Sequence, residues 1–188
     1  PELPDQRKKR YVDEFGLSNY DASALTSDKS VSDYFDNVIK SDKSLRDKSK
    51  IVVNWITSEL FFLLNENNIE IVNSPITPDY LGRLIKLIQE DTISGKIAKD
   101  VLIEMYKTKK DPESIIDQKG LKQVTDISEI EFIVDNVIKE NQKMVEQYLL
   151  GKNKLLGFFV GQSMKKSKGK ANPKILNEIL KAKLSKKN

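Results

Sequence analysis

The segment from residue 45 to residue 64 constrains the fold more than any other part of the sequence, because it is apolar on almost every face of a helix. One stripe of aliphatic side chains recurs there at helical spacing: Val52, Ile56, Leu60 and Leu63. A helix that is apolar nearly all round is usually the central element of a helical bundle. We therefore expect Trp55 to be a core residue and not a platform for stacking nucleic-acid bases.

Amphipathic helical patterns occupy most of the remaining sequence. Polar caps, three of them followed by proline, mark helix starts at Thr77-Pro78, Asp111-Pro112, Asp126 and Asn172-Pro173. Gly16 and Gly120 stand where a helix would end. The one candidate strand, residues 69–72, could not form a sheet alone. The sequence therefore predicts an all-α fold.

A short polar stretch, residues 120–125, separates two groups of helical patterns and predicts a domain boundary. We expect two helical-bundle domains in tandem, residues 1–119 and residues 120–188. A second bundle of about 65 residues is small but can still bury a core, particularly when it docks against a neighbouring domain.

The chain lacks residues that several classes of enzyme require. The chain has no histidine and no cysteine, so a histidine-based triad and the usual zinc ligands are missing. The Gly-x-x-x-x-Gly-Lys-Ser/Thr phosphate-binding loop is also absent. We predict no catalytic and no metal-binding residue, and a chain that binds and positions its ligand.

No signal peptide or membrane span is recognised, so we expect a cytoplasmic protein, or one of an organelle matrix. The chain begins at Pro1 without a methionine, and we expect a fragment of a longer protein.

Charge is distributed very unevenly along the chain. Residues 151–188 hold eleven lysines and one acidic residue, a net charge of +10, whereas the other 150 residues carry −6. A basic quarter on an acidic body is typical of proteins that bind nucleic acid or another polyanion. A lysine-rich tail that only keeps the protein in solution is the alternative.

The positive charge is concentrated in residues 151–174, which contain seven lysines and no acidic residue. Asn172 and Pro173 start a helix there, and free N–H groups at a helix start, together with the helix dipole, favour phosphate. A solvated connector between two helices explains the same lysines. The motif alone leaves both interpretations open.

Gly157 and Gly161 are four residues apart, on one face of a predicted helix, where a missing side chain lets another group approach closely. We expect that group to be a neighbouring helix, with a ligand as the alternative. Lysine binds phosphate as a point charge, without the two-pronged geometry by which arginine reads guanine. This composition favours a folded RNA over a specific DNA site.

The chain resembles the B subunit family of the aspartyl/glutamyl-tRNA amidotransferases over essentially its whole length. The similar segments are, in chain order, PELPDQRKKRYVDEFGLSNYDASALTSDK (Pro1–Lys29), Asn54-Trp55, ISGKIAK (Ile93–Lys99), Lys119-Gly120-Leu121 and FFVGQSMKKSKGKANPKILNEIL (Phe158–Leu180). The number and order of these segments make the resemblance specific.

The resemblance implies a function that composition could not reveal. The family's complex converts Glu-tRNA(Gln) or Asp-tRNA(Asn) to the amide with ATP and glutamine-derived ammonia. Its B subunit activates the carboxylate with ATP and Mg²⁺ in an N-terminal domain, which would precede this chain, while the A subunit releases ammonia. The helical domain (1–119) and the YqeY-type tail domain (120–188) would hold the tRNA. The implied partners are tRNA(Gln) or tRNA(Asn) and the A and C subunits, with no membrane, no DNA and no cofactor in this fragment.

Residue by residue, the family motif matches Gly161, Gln162, Lys165, Gly169, Lys170, Ala171, Asn172 and Pro173. The predicted tRNA-binding residues are Gln162, Lys165, Lys166, Lys168, Gly169, Lys170, Asn172 and Lys174. The motif does not demand Lys166 and Lys168, which we include for their charge. The alternative is a helical scaffold that holds the amidotransferase subunits together without contacting RNA.

Overall fold

A computed structural model describes residues 1–122 and 124–185 of the chain. Helices fill most of these two ranges and no strand forms in them, so the predicted all-α fold class is confirmed. The second half of the candidate strand instead lies in a 3₁₀ turn, Ile71–Asn73. Within the described ranges, no helix has both the length and the apolar character needed to cross a bilayer.

Residues 1–90 and 95–120 form one compact unit. Its helices are α1 (Pro4–Phe15), α2 (Asn19–Thr26), α3 (Lys29–Ser41), α4 (Ser49–Asn54), α5 (Phe61–Glu66), α6 (Pro78–Gln89), α7 (Gly95–Thr108) and α8 (Pro112–Lys119). A 3₁₀ turn at Lys43–Lys48 precedes α4. The buried residues of α3 include all five that helical periodicity selects: Val31, Tyr34, Phe35, Val38 and Ile39.

The segment expected to be one regular helix contains a widened turn. Trp55–Leu60 forms a π-helix between α4 and α5, with i→i+5 spacing that interrupts the regular register. Trp55 is 8% exposed and Ile56 fully buried, so the prediction that Trp55 is a core residue is confirmed. Asn54, at the end of α4, is exposed to solvent.

Residues 91–94 and the described part of residues 121–188 form the second compact unit. Its helices are α9 (Ile127–Glu140), α10 (Gln142–Leu149), α11 (Leu155–Lys166) and α12 (Pro173–Ser185). All four contribute to one apolar core, which includes Ile130, Val134, Val137, Val145, Phe159, Leu176, Leu180 and Leu184. That residues 1–119 and 120–188 are separate domains stays a prediction. Gln123 in the predicted boundary segment and residues 186–188 of the predicted tail domain lie outside the described residues.

The predicted helix caps are formed. Thr77, Asp111, Asp126 and Asn172 each accept a hydrogen bond from the backbone N–H three residues on, at 3.0–3.2 Å. Gly16 and Gly120 end their helices in the left-handed region, with φ of 64° and 59°. These local signals set where α1, α6, α8, α9 and α12 start or stop.

Candidate nucleic-acid interface

The lysine loop, which we define as residues 167–172, joins α11 to α12 in the second unit. It carries Lys168 and Lys170, while Lys165 and Lys166 lie in the last turn of α11. Lys174 lies in the first turn of α12. One short connection and the two helix ends beside it therefore bring together all five lysines predicted to bind tRNA.

The second and third residues of the lysine loop lie in the left-handed region. Lys168 has a φ of 54° and Gly169 a φ of 76°. The N–H of Gly169 donates to the Met164 carbonyl (2.8 Å) and that of Lys168 to the Lys165 carbonyl (3.0 Å), which closes the end of α11. Glycine adopts this conformation freely, whereas for lysine it costs about 1–2 kcal/mol. The surrounding bonds therefore have to hold Lys168 in place.

A hydroxyl spans the inside of the lysine loop. The Oγ of Ser167 accepts a hydrogen bond from the Ala171 N–H (3.1 Å) and donates to the Met164 carbonyl (2.8 Å). Ser167 is only 8% exposed and Ala171 is fully buried. Lys168, Gly169 and Lys170 are thus the outward part of a closed ring.

The segment before α9 supports the other side of the lysine loop. The Val124 N–H donates to the Lys170 carbonyl (2.6 Å), and the Asn172 N–H donates to the Val124 carbonyl (2.9 Å). These two bonds form an isolated parallel bridge between Val124 and Ala171. The lysine loop is therefore hydrogen-bonded both to the end of α11 and to the segment before α9.

Backbone donors in and after the lysine loop are largely used within the chain. The N–H groups of all six residues from 167 to 172 donate to acceptors of this unit. At the start of α12, Pro173 has no N–H, and the Ile175 N–H donates to Asn172 Oδ1 (3.1 Å). The expectation that free backbone N–H groups would assist phosphate binding here is thus largely wrong. The lysine ammonium groups are therefore the main donors available to a ligand.

The lysines differ in whether their charge is already balanced. The Nζ of Lys166 lies 2.9 Å from Glu140 Oε1, so an acidic residue of α9 offsets that charge. Lys165, Lys168 and Lys174 are exposed and have no ion pair among the residues that the structure describes. Lys170 is half-buried, and no ion pair is formed with it in the described ranges either.

The three other predicted site residues are less accessible. Asn172 is 6% exposed, and its side-chain oxygen caps α12, which is a structural role. Gly169 is half-buried and provides the positive φ at the end of α11. Gln162 is half-buried on α11. The structure thus leaves the lysines as the main groups of the site that can reach a ligand.

Gly157 and Gly161 lie on the exposed side of α11, and a methyl group built on either would meet no atom within 4 Å. The prediction that they pack against a neighbouring helix is wrong. Lys154 and Lys165 are three residues before Gly157 and four after Gly161, and both are exposed. A short strip of bare helix backbone therefore lies between two exposed cations.

Two residues of this site were not selected from the sequence. Ser167 stands inside the lysine motif, but nothing in the pattern shows that its hydroxyl points inward. Val124 lies 46 positions before Lys170, and only the folded chain brings their backbones together. The one sequence signal for these contacts was a serine within a lysine-rich connector, because serine hydroxyls can hydrogen-bond to the backbone of a turn.

Comparison with known proteins agrees with the family resemblance seen in the sequence. A family model described as the GatB domain matches residues 33–184. The B subunit of the aspartyl/glutamyl-tRNA(Asn/Gln) amidotransferase of Alkalilimnicola ehrlichii is 47% identical over 184 residues, which cover 98% of this chain and 38% of that protein. The proteins of the same name from Rickettsia canadensis and Carboxydothermus hydrogenoformans are 50% and 47% identical, over 98% and 99% of this chain.

These relatives are much longer than the chain, which spans 37% and 38% of the lengths of the last two. The match nevertheless covers nearly every residue of the chain, and the family model includes most of both compact units. On this basis the chain belongs to the GatB domain family, whose curated relatives are B subunits of aspartyl/glutamyl-tRNA(Asn/Gln) amidotransferase.

Proposed function

We propose that this chain binds and positions tRNA within the B subunit of an amidotransferase that converts Glu-tRNA(Gln) or Asp-tRNA(Asn) to the amidated form. The observation that carries the proposal is the exposure of Lys165, Lys168 and Lys174 around the lysine loop, without ion pairs in the described residues. The names of the relatives supply the class of substrate.

Electrostatics support this choice of ligand. Unpaired surface lysines that neutralise phosphates release condensed counterions, which gives binding that weakens linearly with salt on logarithmic scales. Lysine has no planar fork with which to read base edges, so it recognises the backbone and shape of the nucleic acid. The deep, narrow major groove of A-form RNA makes shape and backbone contacts the usual mode for structured RNA. A tRNA body fits this chemistry.

In this proposal the described residues hold and orient the tRNA and carry no chemical step. No group of three or more acidic side chains in the described ranges is placed to bind a metal ion. In this proposal, carboxylate activation with ATP and Mg²⁺ belongs to the catalytic domain of the longer subunit. The A and C subunits are the proposed protein partners, and the cytoplasm the proposed location.

The test is a salt series of binding to an unmodified tRNA(Gln) transcript. It compares the chain with a variant that carries Lys165→Ala, Lys166→Ala, Lys168→Ala and Lys170→Ala. We expect log affinity to fall linearly with log salt, and the slope of the variant to be shallower by about 0.7–0.9 for each phosphate that is no longer neutralised. Identical slopes and affinities would contradict the proposal.

One observation favours a second candidate function, a scaffold for the amidotransferase subunits. On α9, Ile127 is 60% exposed and Phe132 is 68% exposed, and Leu150 after α10 is 85% exposed. Exposed aromatic and aliphatic side chains are common at protein interfaces. This function predicts that Phe132→Ser weakens association with the purified A and C subunits, while the four-lysine variant associates normally.

A further inference from the structure

We infer that Ser167 is a positioning residue that holds the lysine loop in its RNA-binding conformation before RNA arrives. The inference rests on the proposed function and adds to it a residue that contacts no RNA itself. Its basis is the pair of hydrogen bonds through which the buried Ser167 hydroxyl joins the Met164 carbonyl to the Ala171 N–H, at 2.8 and 3.1 Å.

The ring closed by Ser167 contains the two lysines of the loop and Gly169. Lys168 has a φ of 54°, which a free lysine rarely adopts. The ring therefore maintains a backbone conformation that the lysine would otherwise leave. Removal of the hydroxyl leaves the buried Ala171 N–H without this acceptor and removes one of the hydrogen bonds that restrain the loop around Lys168.

Val124 restrains the same loop from the opposite direction. Its backbone bonds to Lys170 and Asn172 fix the end of the lysine loop, whereas the hydroxyl of Ser167 fixes the loop across its base. With Val124 in place, a Ser167 variant should keep the end of the loop attached. We expect such a variant to loosen the loop locally without unfolding the second unit.

Preorganisation and charge affect binding in distinguishable ways. A lysine that contacts phosphate contributes to the slope of log affinity against log salt, since the slope counts released counterions. A residue that only orders the loop changes the affinity at every salt concentration, because binding must then restrict a mobile segment. Loss of Ser167 should therefore shift the line downward and leave its slope unchanged.

The experiment measures binding of an unmodified tRNA(Gln) transcript to the full chain, with Ser167→Ala, Ser167→Thr and Ser185→Ala. Ser185 is a matched control, since its exposed Oγ also donates to a carbonyl three residues back, Ala182 (2.9 Å). We expect Ser167→Ala to bind about tenfold more weakly, a change of about 1.4 kcal/mol, at an unchanged slope. Ser167→Thr, which keeps the hydroxyl, and Ser185→Ala should bind like the unaltered chain. Amide hydrogen exchange at Ala171 should be faster only in Ser167→Ala.

Unchanged affinity of Ser167→Ala would overturn the inference, and so would a shallower salt slope, because fewer phosphates would then be neutralised. If the unaltered chain and the four-lysine variant bind RNA alike, the proposed function fails and the inference fails with it. If the four-lysine variant behaves as expected and Ser167→Ala still binds normally, only the inference fails. Faster exchange at Ala171 with unchanged affinity would make Ser167 structural and not a positioning residue.

Discussion

Gly82 on α6 lies so close to the hydroxyl of Ser41 at the end of α3 that a methyl group on Gly82 would overlap the Ser41 Oγ. The same methyl group would also lie 3.2 Å from Leu45 Cδ1. We expect Gly82→Ala to lower the free energy of unfolding by about 1–3 kcal/mol, because overpacking forces neighbours out of their preferred positions. Urea unfolding followed by the fluorescence of Trp55, the one tryptophan of the chain, reports this unit.

Ser41→Ala provides the internal control for Gly82→Ala. The Ser41 hydroxyl donates to the Val38 carbonyl (2.7 Å), and its removal relieves the main overlap. We expect the double variant to be more stable than Gly82→Ala alone, which is a positive coupling between neighbours. Equal stability of Gly82→Ala and the unaltered chain would show that the Ser41 hydroxyl rotates away, or that α3 and α6 move apart, at little cost.

Sequence patterns predicted those features of the fold that nearby residues encode. The buried face of α3 follows from one apolar residue every three to four positions, and the start of α9 follows from Asp126 and the N–H three residues later. The π-helical turn at Trp55–Leu60 was not predictable in this way. Apolar residues lie on almost every face of the helical segment around it, so the pattern holds little information about its register.

The features that sequence patterns missed depend on partners distant in the chain. Lys166 pairs with Glu140, 26 positions earlier, so its charge could not be judged within the lysine motif. Whether Gly157 packs against a helix or stays open depends on where the other helices pass. The lysine cluster could be predicted from the sequence alone, whereas the hydrogen bonds that hold the lysine loop are visible only in the folded chain.

The ion pair between Lys50 and Asp21 predicts a pH-dependent contribution to stability. The Lys50 ammonium donates to Asp21 Oδ2 (2.5 Å), as does the Ser18 hydroxyl (2.8 Å), and these bonds lower the pKa of the buried Asp21. Because the pKa of Asp21 is lower in the folded protein than in the unfolded chain, its carboxylate stabilises the folded protein at pH values above the unfolded pKa. This stabilisation is lost as the pH falls through the folded pKa. We expect Lys50→Met to lower the free energy of unfolding by about 1 kcal/mol near neutral pH, with a difference that shrinks below about pH 4.

Lys29→Met is the matched control for this pH series. Lys29 pairs with Asp33 one helical turn away, and its side chain is 80% exposed. An exposed pair of this kind contributes only about 0.3–0.5 kcal/mol. A loss in Lys50→Met that stays constant down to low pH would show that the packing of the lysine stem, and not its charge, stabilises the unit.

Alanine in place of Gly157 or Gly161 should have opposite effects on the stability of α11 and on RNA binding. Neither has a neighbour within 4 Å of the position of a methyl group, so alanine at each should stabilise α11 by about 0.5–1 kcal/mol. Under the proposed function, the same methyl groups hold the RNA backbone away from the helix and weaken binding. Hydrogen exchange at the Phe159 amide measures the first effect, and binding to the tRNA(Gln) transcript measures the second.

Gly169→Ala separates these effects from a general response to alanine. The φ of Gly169 is 76°, so alanine there should destabilise the end of α11 by about 1 kcal/mol, although it too would meet no atom within 4 Å. If Gly157→Ala and Gly161→Ala stabilise the helix and leave RNA affinity unchanged, the exposed strip of α11 is not part of the interface.

Lys165 and Lys166 are neighbours in sequence but should contribute unequally to the salt dependence of RNA binding. Lys165 is exposed and has no ion pair among the described residues, whereas Lys166 lies 2.9 Å from Glu140. We expect Lys165→Ala to reduce the salt slope by about 0.7–0.9. Lys166→Ala should reduce it by less, because its charge is already partly neutralised. Titration of the tRNA(Gln) transcript at several salt concentrations gives both slopes.

Glu140→Gln tests the cause of this difference. The change removes the carboxylate and keeps a side chain of similar shape, so Lys166 becomes available to phosphate. We expect Glu140→Gln to bind the transcript more tightly and with a steeper salt slope, and Lys166→Ala to cancel that gain in the double variant. If Lys166→Ala alone already reduces the slope as much as Lys165→Ala, Lys166 leaves Glu140 when RNA binds. The ion pair would then not limit the number of phosphate contacts.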